Sequence, residues 1–219
     1  IHSIVKGSSF YLKKWSRSMP PAQENNSYLN FLSTHDGIGF RPLEGILPTD
    51  EIQNYIDFLK KQGALLSYRK DKKKESVYEV NITLLDAFKQ TFLGNDSFNI
   101  ERFLLAHSIL LSLEGIPAIY IQNLLGSRND NIKVKNTGHN RSINRRNWNY
   151  DDLKLKLKKK DEKNYLIYSS LIKLIKIRKK QPAFHPNATQ FTLQLDNDFF
   201  GIWRQSIDKS QSIFCINNL

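Results

Sequence analysis

A histidine and an aspartate stand side by side at His35 and Asp36, two residues beyond the β-rich run Tyr28-Leu29-Asn30-Phe31-Leu32 and ahead of Gly37 and Gly39. An imidazole and a carboxylate at a strand end can bind sugar hydroxyls and stabilise an oxocarbenium-like charge. Read locally, Ser33-Thr34-His35-Asp36-Gly37 serves equally well as a turn, since Asp-Gly is a common turn pair. A second concentration of chemistry lies in the polar stretch Gln122–Asp152, with Gly126-Ser127-Arg128-Asn129-Asp130 and Asn140-Arg141-Ser142-Ile143-Asn144-Arg145. Arg128, Arg141 and Arg145 in one segment suit an anion, because the guanidinium fork matches phosphate and carboxylate geometry. A solvated basic loop is the alternative that composition leaves open. A connection this long is itself a functional signal.

The elements that must position these residues can be read from periodicity. Tyr28–Leu32 reads as a strand ending at the His-Asp pair. Thr49-Asp50-Glu51 starts a helix, with Thr49 as its N-cap, acids in the first turn, Ile52, Tyr55, Ile56 and Leu59 on one face, and Gly63 as its end. Tyr68–Ser76 reads as a charged loop and Ile82–Leu93 as a second short helix. Phe103, Ala106, His107, Leu110 and Leu111 recur at helical spacing and predict a helix over Asn99–Leu113. The continuous apolar run Ile116–Ile121 predicts a parallel strand buried on both faces. Asp161–Lys180 reads as a helix with Ile167, Leu171, Leu174 and Ile175 inward and Pro182 as its stop. Thr189–Leu195, Phe199–Gln205 and Ser212–Ile216 read as three antiparallel strands, with Asp196-Asn197-Asp198 as a hairpin turn.

Composition excludes several classes. At 219 residues, with 40% hydrophobic and 25% charged residues, the chain can bury a core of its own. Its one cysteine, Cys215, allows no intrachain disulfide and no cysteine-based metal site. Flanked by Ile213, Phe214 and Ile216, it reads as a small core residue. The net charge of +12 and pI near 9.7 raise nucleic-acid binding. The charge, however, sits in the lysine clusters Lys70–Lys74 and Lys154–Lys160, which have acids nearby and few aromatics, the usual make-up of solvated loops and helix ends. Nucleic acid is therefore not expected as a partner. No stretch approaches the roughly 18 to 20 apolar residues that a membrane span requires, so no membrane partner is expected either. The chain begins at Ile1 and its only methionine is Met19, from which we expect that its true beginning is not present.

Phe31-Leu32-Ser33-Thr34-His35-Asp36-Gly37-Ile38-Gly39 resembles the fourth conserved region of the α-amylase superfamily, glycoside hydrolase family 13. Its Asp-Gly-Ile-Gly form and the following Arg41-Pro42-Leu43-Glu44-Gly45 resemble the sucrose phosphorylase branch. The resemblance implies that His35 binds glucose in the donor subsite and that Asp36 is the third catalytic carboxylate, gripping sugar hydroxyls and stabilising the transition state. Asn140–Arg145 resembles that branch's acceptor-site loop, which makes Arg145, and then Arg141, candidate ligands for phosphate or the leaving sugar. Val77-Tyr78-Glu79-Val80-Asn81 is similar to a mobile loop of the branch in which glutamine stands where this chain has Glu79. That departure, with Gly126–Asp130, is more similar to the glucosylglycerate phosphorylases and points to a small anionic acceptor such as glycerate. Glu79 is thus a candidate substrate-binding residue, equally readable as a surface residue, and no catalytic role is assigned to it.

The resemblance spans about residues 25 to 219 and implies an α/β fold: a partial (β/α)₈ TIM barrel, from strand seven to helix eight, with an inserted small domain and the start of a C-terminal antiparallel β domain. The implied domains are a barrel part over 1–36, the small domain over 37–97, a second barrel part over 98–183 and a truncated β domain over 184–219. The implied activity is phosphorolysis of an α-glucoside, of glucosylglycerate or sucrose type, to α-glucose 1-phosphate by retaining double displacement. The nucleophilic aspartate and the acid/base glutamate belong to strands four and five, outside this chain. Inorganic phosphate is a co-substrate, so a cytoplasmic site is expected; no metal or organic cofactor is needed, and a homodimer is left open. The rival readings are a hydrolase or transglucosidase on the same scaffold, an inactive sugar-binding fragment, and a basic nucleic-acid binder.

Overall fold

Two short helices, α1 (His2–Lys6) and α2 (Phe10–Ser18), precede a two-residue strand, β1 (Leu29–Asn30). The computed structural model describes residues 1–71 and 74–219. After β1 come β2 (Ile38–Gly39), α3 (Thr49–Lys61), the hairpin of β3 (Leu65–Asp71) and β4 (Lys74–Asn81), and the short helix α4 (Leu84–Ala87). A small hairpin follows, β5 (Gln90–Thr91) and β6 (Gly94–Asn95), then α5 (Asn99–Ser112) and β7 (Ile116–Pro117). The rest comprises α6 (Ile121–Leu124), α7 (Asn131–Thr137), α8 (Tyr150–Lys156), α9 (Lys163–Lys179) and the strands β8 (Thr189–Thr192), β9 (Phe199–Gln205) and β10 (Ser212–Asn218). The fold is mixed α/β: β1 and β7 pair in parallel, whereas β2-β4-β3, β5-β6 and β10-β9-β8 are antiparallel.

The helices follow from simple patterns. α3 carries Asp50 and Glu51 in its first turn and Lys60 and Lys61 in its last, the charge order that complements the helix dipole. Its Tyr55, Ile56, Phe58 and Leu59 are buried. α5 is apolar around most of its circumference and buries Phe103, Ala106, His107, Leu110 and Leu111. One continuous core joins α1, β2, α3, β4, α5, α9 and β9 through residues such as Val5, Ile38, Leu59, Val80, Phe103, Ile167, Leu171 and Ile202.

Two buried arginines close the end of α5. Arg178, from α9, donates to the carbonyls of Leu111 and Gly115, and Arg204, from β9, donates to that of Ser112 at 3.1 Å. The Leu111 and Ser112 carbonyls are among those a helix leaves without intrahelical partners, and cations there also meet the negative end of the dipole. Burial pulls the Arg204 guanidinium down to about 10, still charged at neutral pH.

Several local expectations are corrected. Thr49 is the first helical residue, with Pro48 at the cap position. Ile82–Leu93 is one helical turn and then the β5–β6 hairpin, because Asn81 and Thr83 are held in extended backbone and Gly94 turns the chain at φ 117°. The charged segment Tyr68–Ser76 belongs to the β3–β4 hairpin, whose two strands pair in register around residues 72 and 73; those two, from the Lys70–Lys74 cluster, lie outside the described residues. Ile116–Ile121 contributes only two strand residues, and Ile116 and Ile121 are about half exposed, since β7 has β1 as its single partner among the described residues. The stretch Gln122–Asp152 is largely helical: α7 is capped by the Asp130 side chain and closed by Gly138 in the left-handed region, and a 3-10 turn covers Asn140–Asn144. Cys215 is partly buried, opposite Ile202 in the β9–β10 ladder, and burial pushes its thiol up.

Candidate active site

The turn that follows β1 places the His-Asp pair. Thr34 N–H donates to the Gly37 carbonyl at 3.0 Å, and Asp36 N–H donates to Thr34 Oγ1 at 3.2 Å. Gly37 sits at φ 140°, and a Cβ there would lie 2.5 Å from the Val80 carbonyl oxygen. Glycine is therefore required where β2 meets β4, and that close approach brings Glu79, opposite Gly39 in the ladder, to the same turn. The other end of the turn is tied down as well: Asn123, on α6, donates to the buried Ser33 hydroxyl at 2.9 Å.

The third segment arrives from the 3-10 turn. Asn140 Nδ2 donates to the Leu66 carbonyl at 3.0 Å, docking the turn on β3, and Asp130 N–H donates to the Ile143 carbonyl at 3.0 Å. Arg141 and Arg145 then face the His-Asp turn. Arg145 Nη2 donates to Asp36 Oδ1 at 2.8 Å and its Nε to the His35 carbonyl at 3.2 Å. Arg141 Nη1 lies 3.3 Å from Asp36 Oδ2, while its Nε and Nη2 each reach a different Glu79 oxygen at 3.1 Å. His35 Nε2 is 3.1 Å from Asp36 Oδ1. Five of the residues singled out from the sequence, His35, Asp36, Glu79, Arg141 and Arg145, thus converge in one hydrogen-bonded cluster.

Electrostatically the cluster is a carboxylate held between two guanidinia, with a second carboxylate balancing one of them. Glu79 is buried, 7% exposed, and its fork-to-fork pairing, followed by the nearby Asp36, holds the Arg141 guanidinium above its usual range. The His35 side chain is 64% exposed and those of Arg141 and Arg145 are 39% and 42% exposed, so the cluster opens to solvent on the side of these three groups.

Sequence reading missed the residues that fix this geometry. Asn81, fully buried, donates to the Asp36 carbonyl at 2.7 Å and to Glu79 Oε1 at 2.7 Å, and accepts from Ser67 Oγ at 2.7 Å. Asn144 donates to the same Asp36 carbonyl at 3.1 Å, and its own carbonyl accepts from the Tyr120 hydroxyl at 2.9 Å. Burial pushes the Tyr120 phenol up, with Arg145 opposing and Asp36 adding. Both asparagines lie in the quoted strings Val77–Asn81 and Asn140–Arg145, so motif membership was the signal available for them. Arg128 does not join the cluster. It pairs at 2.6 Å with Asp86, a buried acid on α4 that also accepts from Asn129 N–H, and so anchors its loop.

Among the described residues, the cavity of about 780 Å³ between α1, the β5–β6 hairpin and α5 lacks this convergence and contains a single ion pair, Arg102 with Asp96. Among the described residues there is no cluster of metal-ligating side chains. No helix among them is long and apolar enough to cross a membrane.

No protein-family model matches the chain. The glucosylglycerate phosphorylase of Escherichia coli K12 is 37% identical over 198 residues, 90% of this chain and 35% of that protein. The glucosylglycerate phosphorylase of Spirochaeta thermophila is 34% identical over 219 residues, 100% of this chain and 37% of that protein. The crystal structure of sucrose 6F-phosphate phosphorylase from Thermoanaerobacter thermosaccharolyticum superposes with a TM-score of 0.78 at 26% identity, covering 97% of this chain and 39% of that one. The chain therefore spans a little over a third of the length of these relatives.

Proposed function

As a partial homologue of the glucosylglycerate and sucrose phosphorylases, the chain is, we propose, the C-terminal portion of an enzyme that phosphorolyses an α-glucoside of glucosylglycerate or sucrose type to α-glucose 1-phosphate. The observation that carries this reading is the Asp36 carboxylate held between the guanidinia of Arg141 and Arg145 at the end of β1. A hydrolase needs no anion site beside its catalytic carboxylate, whereas a phosphorylase must hold phosphate there. The parallel register of β1 on β7, with α5 between them in sequence, supports their assignment as strands seven and eight of a (β/α)₈ barrel. On that reading 1–36 and 98–183 are barrel parts, 37–97 is an inserted domain and 184–219 opens a C-terminal β domain.

In the proposed mechanism, two carboxyl groups carried by the rest of the enzyme act on the glucoside. An aspartate attacks the anomeric carbon as the bond to the leaving oxygen breaks, and a glutamic acid gives that oxygen its proton. In the second step a phosphate oxygen attacks the same carbon, the bond to aspartate breaks, and the phosphate proton passes to the glutamate. Configuration is retained and both catalytic groups are restored. Asp36 takes sugar hydroxyls and opposes the positive charge that develops on the ring, a contribution made mainly in the transition state. His35 binds the same glucose. When Asp36 turns to the sugar, Arg145 loses its carboxylate partner and is left to hold phosphate or the leaving acceptor. This mechanism needs no metal or organic cofactor, and its dependence on inorganic phosphate leads us to expect a cytoplasmic enzyme.

The test is to incubate the longer protein carrying this chain with glucosylglycerate, and separately with sucrose, while titrating phosphate. Formation of α-glucose 1-phosphate in proportion to phosphate is expected, and the 219-residue chain alone should form none. Free glucose released regardless of phosphate would make the protein a hydrolase. No turnover of either glucoside would make it a sugar-binding remnant.

A further inference from the structure

We infer that Glu79 sets the charge of the acceptor that this site takes, limiting it to one negative charge, and this rests on the phosphorylase reading above. The cluster holds two guanidinia, Arg141 and Arg145, and two carboxylates, Asp36 and Glu79. When Asp36 is drawn to the sugar ring, its charge is matched by the positive charge developing there. Glu79 has no such second partner. It stays on Arg141 through two contacts at 3.1 Å, is 7% exposed, and is fixed from behind by Asn81.

One unmatched guanidinium then faces the acceptor, that of Arg145. A singly charged carboxylate acceptor neutralises it. Inorganic phosphate, which is present near neutral pH in its singly charged form beside the doubly charged one, fills the same slot. An acceptor bearing a phosphate monoester, close to doubly charged at neutral pH, leaves one negative charge without a partner next to the Glu79 carboxylate. Like charges brought side by side are disfavoured, which gives discrimination by repulsion as well as by attraction. Among the acceptor types of the proposed reaction, the geometry selects the monocarboxylate over the sugar phosphate, and Glu79 is a specificity-determining residue.

The test uses the complete enzyme in the synthetic direction, with α-glucose 1-phosphate as donor and three acceptors of one carbon skeleton: glycerol, glycerate and glycerol phosphate. Wild type is expected to prefer glycerate, with glycerol phosphate the poorest. Glu79→Gln keeps the shape and the oxygen that accepts from Asn81 but removes the charge, leaving two unmatched guanidinia. It should raise kcat/KM for glycerol phosphate relative to glycerate by about ten-fold or more, the scale of one charge-assisted contact. Glycerol, being uncharged, is the reference against which any general loss of activity is divided out. Glu79→Asp, which keeps the charge, should retain the wild-type order and so separates charge from packing. An unchanged ratio in Glu79→Gln, with wild type active, overturns the role of Glu79 while leaving the phosphorylase reading intact. Wild type inactive on all three acceptors and on sucrose overturns that reading itself.

Discussion

Replacing Arg145 by alanine should impair the phosphate half of the proposed reaction and, with sucrose as a donor whose leaving group is uncharged, spare the first half. Arg145 touches the cluster twice, through Nη2 to Asp36 Oδ1 at 2.8 Å and through Nε to the His35 carbonyl at 3.2 Å. Its removal leaves Asp36 with Arg141 Nη1 at 3.3 Å, so the carboxylate keeps a cation and its turn keeps both asparagine donors. What is lost is the guanidinium that becomes unmatched when Asp36 engages sugar. A charge-assisted contact is worth about 1.5 to 3 kcal/mol. At 42% exposure the side chain is screened by water, which places the effect near the lower end, roughly ten-fold in phosphate KM. Water needs no charged ligand to reach the glucosyl-enzyme, so the ratio of free glucose to glucose 1-phosphate should rise by a similar factor. The assay feeds the complete enzyme a glucosyl donor, titrates phosphate and quantifies both products. Arg145→Lys, which keeps the charge but loses the fork, should fall between wild type and alanine. An unchanged phosphate KM together with an unchanged product ratio would refute the assignment and return the Asn140–Arg145 turn to the status of a basic surface segment.

Three further outcomes are expected. Asp36→Asn should lower kcat by more than ten-fold, a loss above about 1.4 kcal/mol in transition-state stabilisation, with a much smaller change in KM; retention of more than a tenth of wild-type kcat would remove Asp36 from the catalytic role. Gly37→Ala, with its Cβ 2.5 Å from the Val80 carbonyl oxygen at φ 140°, should destabilise the fold by more than about 1 kcal/mol and lower Tm by at least roughly 2 °C; an unshifted melt would show that β2 can move away from β4 at little cost. His107 is fully buried, with Nδ1 2.8 Å from the Phe103 carbonyl and its pKa pulled down to about 4 by burial. The unfolded chain takes up this proton below its ordinary value of 6.5 and the folded one does not, so the stability is complete above about pH 6.5 and drains away as pH falls toward 4, by up to about 3 kcal/mol. Urea midpoints at pH 7 and pH 4.5 should therefore differ less in His107→Leu than in wild type, and equal differences in both would count against the buried neutral imidazole.

Where the chain supplies its own periodicity, the fold was legible. Phe103, Ala106, His107, Leu110 and Leu111 announce α5, Ile167 and Leu171 announce α9, and the alternating strands of residues 189–218 pair as their turns imply. Failures cluster where an element depends on what it packs against. Ile116–Ile121 has the composition of a strand buried on both faces, yet only Ile116–Pro117 pair, because β1 is the one neighbour offered to it among the described residues. The Tyr68–Ser76 segment is charged enough to pass for a loop, but each of its strands meets a partner in register across the hairpin, and ladder hydrogen bonds outweigh a weak propensity. Gln122–Asp152 lacks the apolar stripe of a long helix and still forms short ones, each set by a local device such as the Asp130 cap, the Asn149 cap or the left-handed Gly138.

The functional cluster divides along the same line. Residue type marked out His35, Asp36, Arg141 and Arg145, but the sequence offered the arginines as bare ligands awaiting an anion, and in the fold each already faces a carboxylate. A guanidinium left without a counter-charge beside a turn packed on β4 would be free to swing into water, and ordering it at each turnover would cost side-chain entropy of about 1 kcal/mol or more. Pairing with Asp36 and Glu79 holds both arginines in place before any ligand arrives. The two pairings differ in consequence because the two acids differ in freedom. Glu79 is buried and bound by Asn81, so Arg141 remains paired. Asp36 is clamped through its backbone, its carbonyl by Asn81 and Asn144 and its N–H by the Thr34 hydroxyl, while its carboxylate is one-quarter exposed, and the proposed reading has it exchange Arg145 for a sugar hydroxyl. In the proposed reaction, binding at the donor side would thereby release the cation needed at the acceptor side. That order of events requires the backbone of residue 36 to be rigid and its side chain mobile, and a motif scan that records only which residues are present cannot distinguish an aspartate so held from one that is merely exposed in a turn.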